Sequence, residues 1–118
     1  MTPNELLKVA VKAADSKLAS DIEVLDIREL TTIADYFVIC NGNSASQIRA
    51  IAEEVERKCK EAGEMPVSTE GYAASSWVLL DFGAVVVHLF RKEMREFYAI
   101  ERLWNEAPRI DVATLLAE

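Results

Sequence analysis

The chain reads as one α/β domain, a mixed sheet of about five strands flanked by helices. Three observations carry that reading. Residues 36–40 form an unbroken apolar run, the pattern of a strand buried on both faces. Residues 77–80 and 85–90 are apolar segments either side of the short turn Asp81-Phe82-Gly83-Ala84. Residues 3–19 and 44–62 space their apolar side chains at helical intervals. A length of 118 residues suits a single domain that buries about two-thirds of its unfolded surface.

The elements follow in order. Thr2-Pro3-Asn4-Glu5 has the form of a capping box with Pro at the first helical position. The helix it opens is expected to run to about Ala19, with Leu6, Ala10, Ala13 and Leu18 near one face. Residues 22–27 are a first strand and residues 36–40 a second. Only about eight residues separate them, too few for a parallel crossover, so the pair is read as antiparallel. Gly42-Asn43 ends the second strand. Ser44 then caps a helix, and Gln47 stands where a capping box needs it. Ile48, Ile51, Ala52, Val55, Cys59 and Ala62 form its apolar stripe, and Gly63 ends it. A short strand near Val67 is expected to lie parallel to the second strand. The hairpin at 77–90 follows. A third helix then carries Met94, Phe97, Ile100, Leu103 and Trp104 at helical spacing, and Pro108 stops it. The tail from Asp111 has room for a further turn or two of helix.

Composition narrows the function. The 13 basic residues are outnumbered by 20 acidic ones, for a net charge of −7. Nucleic-acid binders draw affinity from phosphate neutralisation, which this balance does not favour. Arg91, Lys92 and Arg95 are the densest basic cluster, but Glu93 and Glu96 interrupt it, so it reads as a solvated helix start. An acidic domain fits a basic protein partner better, and no direct DNA contact is expected. No apolar run approaches the ~20 residues of a membrane span, and the N-terminus lacks a signal segment, so a cytoplasmic protein without a membrane partner is expected. Cys40 and Cys59 are widely spaced and read as reduced thiols, one in a strand and one on a helix.

Residues 70–104 hold polar and aromatic side chains unusual for a plain core: Trp77, Asp81, His88, Arg95, Tyr98, Glu101 and Trp104. Asp81-Phe82-Gly83 coincides with the metal-binding tripeptide of protein kinases, but the chain is far too short for a kinase and lacks its other motifs. His88, the single histidine, has no ligand spacing to either cysteine, so no metal site is expected. From pattern alone, His88 is a hydrogen-bonded strand residue, Trp104 is core, and Trp77 and Tyr98 fit core and interface equally.

The ordered set Glu70-Gly71, Trp77, Asp81, Gly83, the stretch ending at His88, Arg95, Tyr98, Glu101 and Leu103-Trp104 resembles the ribosomal silencing factor (RsfS, or Iojap) family. An upstream match lies in residues 34–40 and Gly42-Asn43-Ser44. The resemblance covers residues 3–106, which divides the chain into a silencing-factor domain at 1–107 and a C-terminal tail at 108–118. Ala84 stands where the family usually carries Asp.

The resemblance implies a nucleotidyltransferase-like α/β arrangement. It implies a translational repressor that docks on the large ribosomal subunit through ribosomal protein L-fourteen and blocks joining of the small subunit. A homodimer is a further partner it allows. Trp77, Asp81, Gly83, His88, Arg95, Tyr98 and Glu101 are the partner-binding residues it points to. Trp77 and Tyr98 would be apolar anchors, Asp81 and Glu101 would meet basic groups, and Gly83 would permit close approach. The alternatives are a nucleotidyltransferase with a degenerate motif and a large-subunit assembly factor. A transferase needs paired carboxylates to hold two metal ions near its Gly-Ser corner. After Gly42-Asn43-Ser44 the nearest acids are Glu53, Glu54 and Glu56, mostly opposite the helix stripe. The corner therefore reads as a helix cap, the protein as a non-enzyme, and no cofactor is expected.

Overall fold

A computed structural model describes residues 1–74 and 76–118; Ser75, part of the serine lead-in to Trp77, lies outside the described residues. The first helix, α1, spans Pro3–Ser16 and opens as its sequence dictates, with the Thr2 hydroxyl accepting the Glu5 N–H at 3.1 Å. It stops at Ser16, short of the expected Ala19, because Leu18 takes a left-handed backbone (φ 64°). Leu18 consequently points to solvent rather than into the helix's buried face.

The second helix, α2 (Ala45–Glu61), starts at Ser44, whose hydroxyl accepts the Gln47 N–H at 3.1 Å. The Gln47 side chain does more than close a capping box. Its Oε1 accepts the Asn43 N–H at 2.7 Å, and its Nε2 donates to the carbonyls of Lys17 and Leu18 at 3.2 and 3.1 Å. One carboxamide thus satisfies carbonyls at the end of α1 while fixing the start of α2.

The strands are β1 (Ser20–Asp26), β2 (Tyr36–Gly42), β3 (Ser68–Glu70), β4 (Trp77–Asp81), β5 (Val85–Arg91) and β6 (Arg109–Ile110). They form one mixed sheet in the order β3-β4-β5-β2-β1-β6. The β1–β2 pair is antiparallel, as its short connection requires. The expected parallel neighbour of β2 is β5, not the strand near Val67. That strand, β3, sits at the sheet edge, antiparallel to β4. The reason is compositional. Ser68, Thr69 and Glu70 are all exposed, whereas β5 is apolar on both faces and suits the middle of the sheet.

The third helix is two pieces, α3 (Lys92–Tyr98) and α4 (Ile100–Leu103), separated by Ala99 in a left-handed conformation (φ 48°). The break rotates the expected stripe apart. Ile100 is buried and Trp104 is half-buried, but Phe97 and Leu103 are 75% and 76% exposed. Beyond Pro108 the chain stays on the body. β6 pairs antiparallel with β1, and α5 (Val112–Ala117) buries Leu115 in the core.

Alternation along the strands sends side chains to two faces. Val24, Val38, Cys40, Val78, Leu80, Val85, Val87 and Leu89 share one core with α1, α2 and Leu115 of α5. Leu25, Phe37, Ile39, Val86 and Phe90 point to the other face, where Ile100 and Ala107 meet them. Trp77, Leu79, Tyr98 and Trp104 pack there while only partly buried.

Candidate functional site

The second face is built from the hairpin and the α3–α4 segment. In register, Trp77 pairs with Phe90, Leu79 with His88 and Asp81 with Val86, so all six project to the same side. Trp77 lies across Phe90 with ring centroids 5.2 Å apart and planes 30° from parallel. Tyr98 closes on Trp77 from α3 at 4.6 Å, and Phe97 meets Tyr98 edge-on at 5.3 Å. Trp104 packs edge-on against Phe37 at 5.4 Å, consistent with its reading as core. The result is a row of aromatic rings, half-covered, with Leu79 beside it.

Asp81 and Gly83 shape the turn. An Asp81 carboxylate oxygen accepts the Gly83 N–H at 2.8 Å, the local bond that short acidic side chains make in turns. Gly83 has φ 85°, and a side chain there would meet nothing in the protein, so backbone conformation is what calls for glycine. Ala84 contributes through its carbonyl, which accepts the N–H groups of Asp35 and Tyr36.

His88 and Arg95 are not surface residues. His88 is 4% exposed, and its Nδ1 accepts the Trp77 indole N–H at 3.2 Å. Burial pushes its pKa down from 6.5 to about 4, so the ring is neutral at physiological pH. Arg95 is 9% exposed and is the centre of a polar nest. Its guanidinium donates to the Asp21 carbonyl at 2.6 Å, to Asn41 at 2.9 Å, to Glu23 at 3.1 Å and to Glu101 at 3.3 Å. These bonds tie α3 and α4 to the irregular start of β1, where Asp21 takes φ 50° and the register with β2 shifts. Glu101 therefore meets an internal cation, rather than standing open to a partner's basic group. An open cavity of about 630 Å³ lies against this nest.

The structure thus gathers Trp77, Asp81, His88 and Tyr98 on the hairpin side of the second face, with Gly83 in the adjoining turn. It sends Arg95 and Glu101 to the nest near Asp21 and Asn41. Sequence reasoning missed Phe90, the platform under Trp77, and the Arg95 partners Asp21, Glu23 and Asn41. The one available signal was Asn41, a polar residue continuing the apolar run of β2.

Other candidate groups are engaged elsewhere. Cys40 packs on the first face and His88 on the second, which keeps them from sharing a ligand. Burial raises both thiols to about 12, leaving them protonated and unreactive. At the Gly42-Asn43-Ser44 corner the Asn43 N–H is taken by Gln47, and the Ser44 hydroxyl caps α2. Among the described residues no helix is long and apolar enough to cross a membrane.

The family model described as "Ribosomal silencing factor during starvation" matches residues 1–118. The chain belongs to the ribosomal silencing factor family. That match runs through residues 108–118, so the family pattern does not stop at Pro108. A ribosomal silencing factor of Bacillus subtilis is 44% identical over 112 residues, covering 95% of each chain. A crystal structure of a Chromobacterium violaceum protein superposes with a TM-score of 0.87 at 38% identity, covering 89% of this chain and 88% of that one. A mouse protein named "Mitochondrial assembly of ribosomal large subunit protein 1" is 35% identical over 92 residues, 74% of this chain and 40% of that longer one. Membership of the ribosomal silencing factor family accounts for the mixed six-stranded sheet and for the ordered residues from Glu70 to Trp104.

Proposed function

We propose that this protein is a translational repressor that docks on the large ribosomal subunit through ribosomal protein L-fourteen and blocks joining of the small subunit. One observation carries the docking surface: the half-covered aromatic row of Trp77 and Tyr98, with Leu79, on the second sheet face. Rigid aromatics that keep one side open are the usual anchors of protein interfaces. The net charge of −7 suits a basic ribosomal protein through complementary steering. The family description agrees with a ribosomal partner, and the mouse relative's name agrees with a large-subunit one.

Asp81 lies at the rim of that surface, with Gly83 beside it, while His88 and Arg95 support it from within. No chemistry is required. A competitor for one subunit face shifts the subunits apart in proportion to its free concentration over its dissociation constant. The tightly occupied Gly42-Asn43-Ser44 corner supports the non-enzymatic reading over a nucleotidyltransferase.

The test is sedimentation with purified subunits. Large subunits should carry the protein down and small subunits should not. Trp77→Ala, Leu79→Ala and Tyr98→Ala should each weaken the association by about 2 kcal/mol, the scale of interface hot spots. Equal binding to both subunits, or to naked ribosomal RNA with a steep loss in salt, would sink the proposal. Assembly of the large subunit is the second reading, favoured by the mouse relative's name. It uses the same surface, and it predicts precursor accumulation in cells lacking the protein rather than a block of joining by the added protein. A second copy on this face is tested by sedimentation equilibrium across concentration.

A further inference from the structure

We infer that His88 is the positioning residue for the docking surface: its Nδ1 lone pair holds the Trp77 indole in the orientation that meets the partner. The inference rests on the docking reading of Trp77. Trp77 and His88 are diagonal neighbours on adjacent strands, a separation that only long or aromatic side chains bridge. The indole N–H donates to Nδ1 at 3.2 Å, so Nδ1 carries no proton and the neutral ring carries it on Nε2. Nε2 is itself buried and has no hydrogen-bond partner among the described residues.

That orphaned donor is informative. A histidine kept merely for packing gains nothing by burying a polar atom unmatched, and Phe would fill the space without that cost. What His supplies and Phe cannot is an acceptor under the indole. The surroundings keep that acceptor available. Phe37 meets the imidazole edge-on at 4.7 Å, and Phe90 lies parallel to it at 6.4 Å. Ile39 and Leu79 are its register partners on either side. On this face Asp81 is bonded to the Gly83 N–H, and the phenol of Tyr98 belongs to a ring packed on Trp77 and Phe90. Neither is hydrogen-bonded to the ring, and desolvation alone sets its titration.

The lock constrains one degree of freedom that stacking leaves open. Phe90 and Tyr98 hold the indole plane, but a stacked ring can still slide or flip about its side-chain torsion. A directional N–H···N bond selects one of those arrangements. The anchor is then ordered before the partner arrives, which lowers the entropy cost of docking.

Nitrogen NMR on the wild-type protein tests the lock directly. A protonated Nε2, an unprotonated Nδ1 and one sharp Trp77 indole N–H resonance are expected; the opposite tautomer, or several exchanging indole signals, would overturn it. Binding is tested with His88→Phe, which keeps a ring and removes the acceptor, and His88→Asn, which places an amide oxygen near the Nδ1 position. His88→Phe should bind large subunits about tenfold more weakly while His88→Asn recovers most of that loss, the scale of one hydrogen bond. In a Trp77→Phe background, where no indole N–H exists, His88→Phe should have no further effect; an undiminished penalty there would overturn the inference. Should Trp77→Ala leave large-subunit binding unchanged, the docking reading fails, while the NMR result still decides whether His88 fixes Trp77.

Discussion

The two faces of the sheet are built to different standards. The first is sealed by α1, α2 and α5, and its central side chains, among them Leu7, Val38, Ile51, Val55 and Leu80, have no exposed surface. The second is covered by the short α3 and α4, the segment leading to Pro108 and the β1–β2 connection at Ile27 and Ala34, and Trp77, Tyr98 and Trp104 keep part of their surface in water. The closed face holds the larger set of buried side chains, while the second leaves Trp77, Leu79, Tyr98 and Trp104 within reach of solvent. The half-cover has a structural cause. The Ala99 break stops α3 after seven residues, and Arg95 anchors the pieces at one end of the sheet, near Asp21 and Asn41. The hairpin end keeps its row of rings partly open.

The contrast is broken most directly by truncating one residue from each face. Ile51→Ala opens a cavity on the sealed face, and such changes cost about 2–5 kcal/mol. Phe97→Ala removes a ring that is 75% exposed, and it should stay within about 0.5 kcal/mol of wild type. Urea midpoints read both. A Phe97→Ala loss approaching that of Ile51→Ala would mean the second face is as structural as the first.

Acid separates the faces next, because the only histidine lies on the second. His88 has a pKa of about 4 when folded against 6.5 unfolded, so the unfolded chain takes up the proton first. Its contribution is intact above pH 6.5 and is lost as pH falls towards 4. Between pH 7.5 and 5 the wild type should lose about 2 kcal/mol more stability than His88→Asn. The carboxylates titrate alike in both proteins and cancel from the difference. Parallel curves for the two proteins would show that the imidazole is not held neutral in the fold.

How much of this was readable beforehand depended on range. α2 was legible because its signals are local: Ser44 before it, a stripe at fixed spacing, Gly63 after it. β2 and its antiparallel pairing with β1 followed from an apolar run and a short connection. The edge position of β3 was missed because crossover geometry says which strands run parallel, not which strand arrives beside β2. Polar Ser68-Thr69-Glu70 already argued for an edge. The α3–α4 break had no local mark, since Ala is a poor candidate for left-handed backbone. The site was legible as a list of residues but not as an arrangement. Arg95 finds its partners 54 and 74 positions away, and no periodicity encodes such pairings. The Trp77–His88 bond needed the strand register first.

Two glycines flanking β4 sharpen the comparison at the edge of the second face. Gly71 and Gly83 both have positive φ, 89° and 85°. A side chain at Gly83 would meet nothing, so Gly83→Ala should cost only the backbone term, about 1 kcal/mol. At Gly71 a Cβ would collide with the Trp77 carbonyl oxygen, which is backbone and cannot swing aside. Gly71→Ala should therefore cost at least about 2 kcal/mol. It should also move the indole N–H resonance of Trp77, which Gly83→Ala should leave in place. Equal melting temperatures for the two variants would remove the claim that the backbone at Gly71 presses on the strand that carries Trp77.

A last, small effect belongs to the closed face and controls for the rest. Ser44 caps α2, and its hydroxyl accepts one N–H that the helix cannot satisfy itself. Ser44→Ala should cost about 1 kcal/mol, the usual value of a lost cap. The loss should be no larger, because Gln47 still holds the Asn43 N–H and the carbonyls of Lys17 and Leu18. Large-subunit binding by the folded fraction should not change, since the corner packs with α2 on the far side of the sheet from Trp77. A urea series with sedimentation on the same samples separates the two readouts. Weakened binding at unchanged stability would place the corner in the recognition surface. Magnesium-dependent binding of a nucleoside triphosphate, lost in Ser44→Ala, would return the Gly42-Asn43-Ser44 corner to phosphate chemistry.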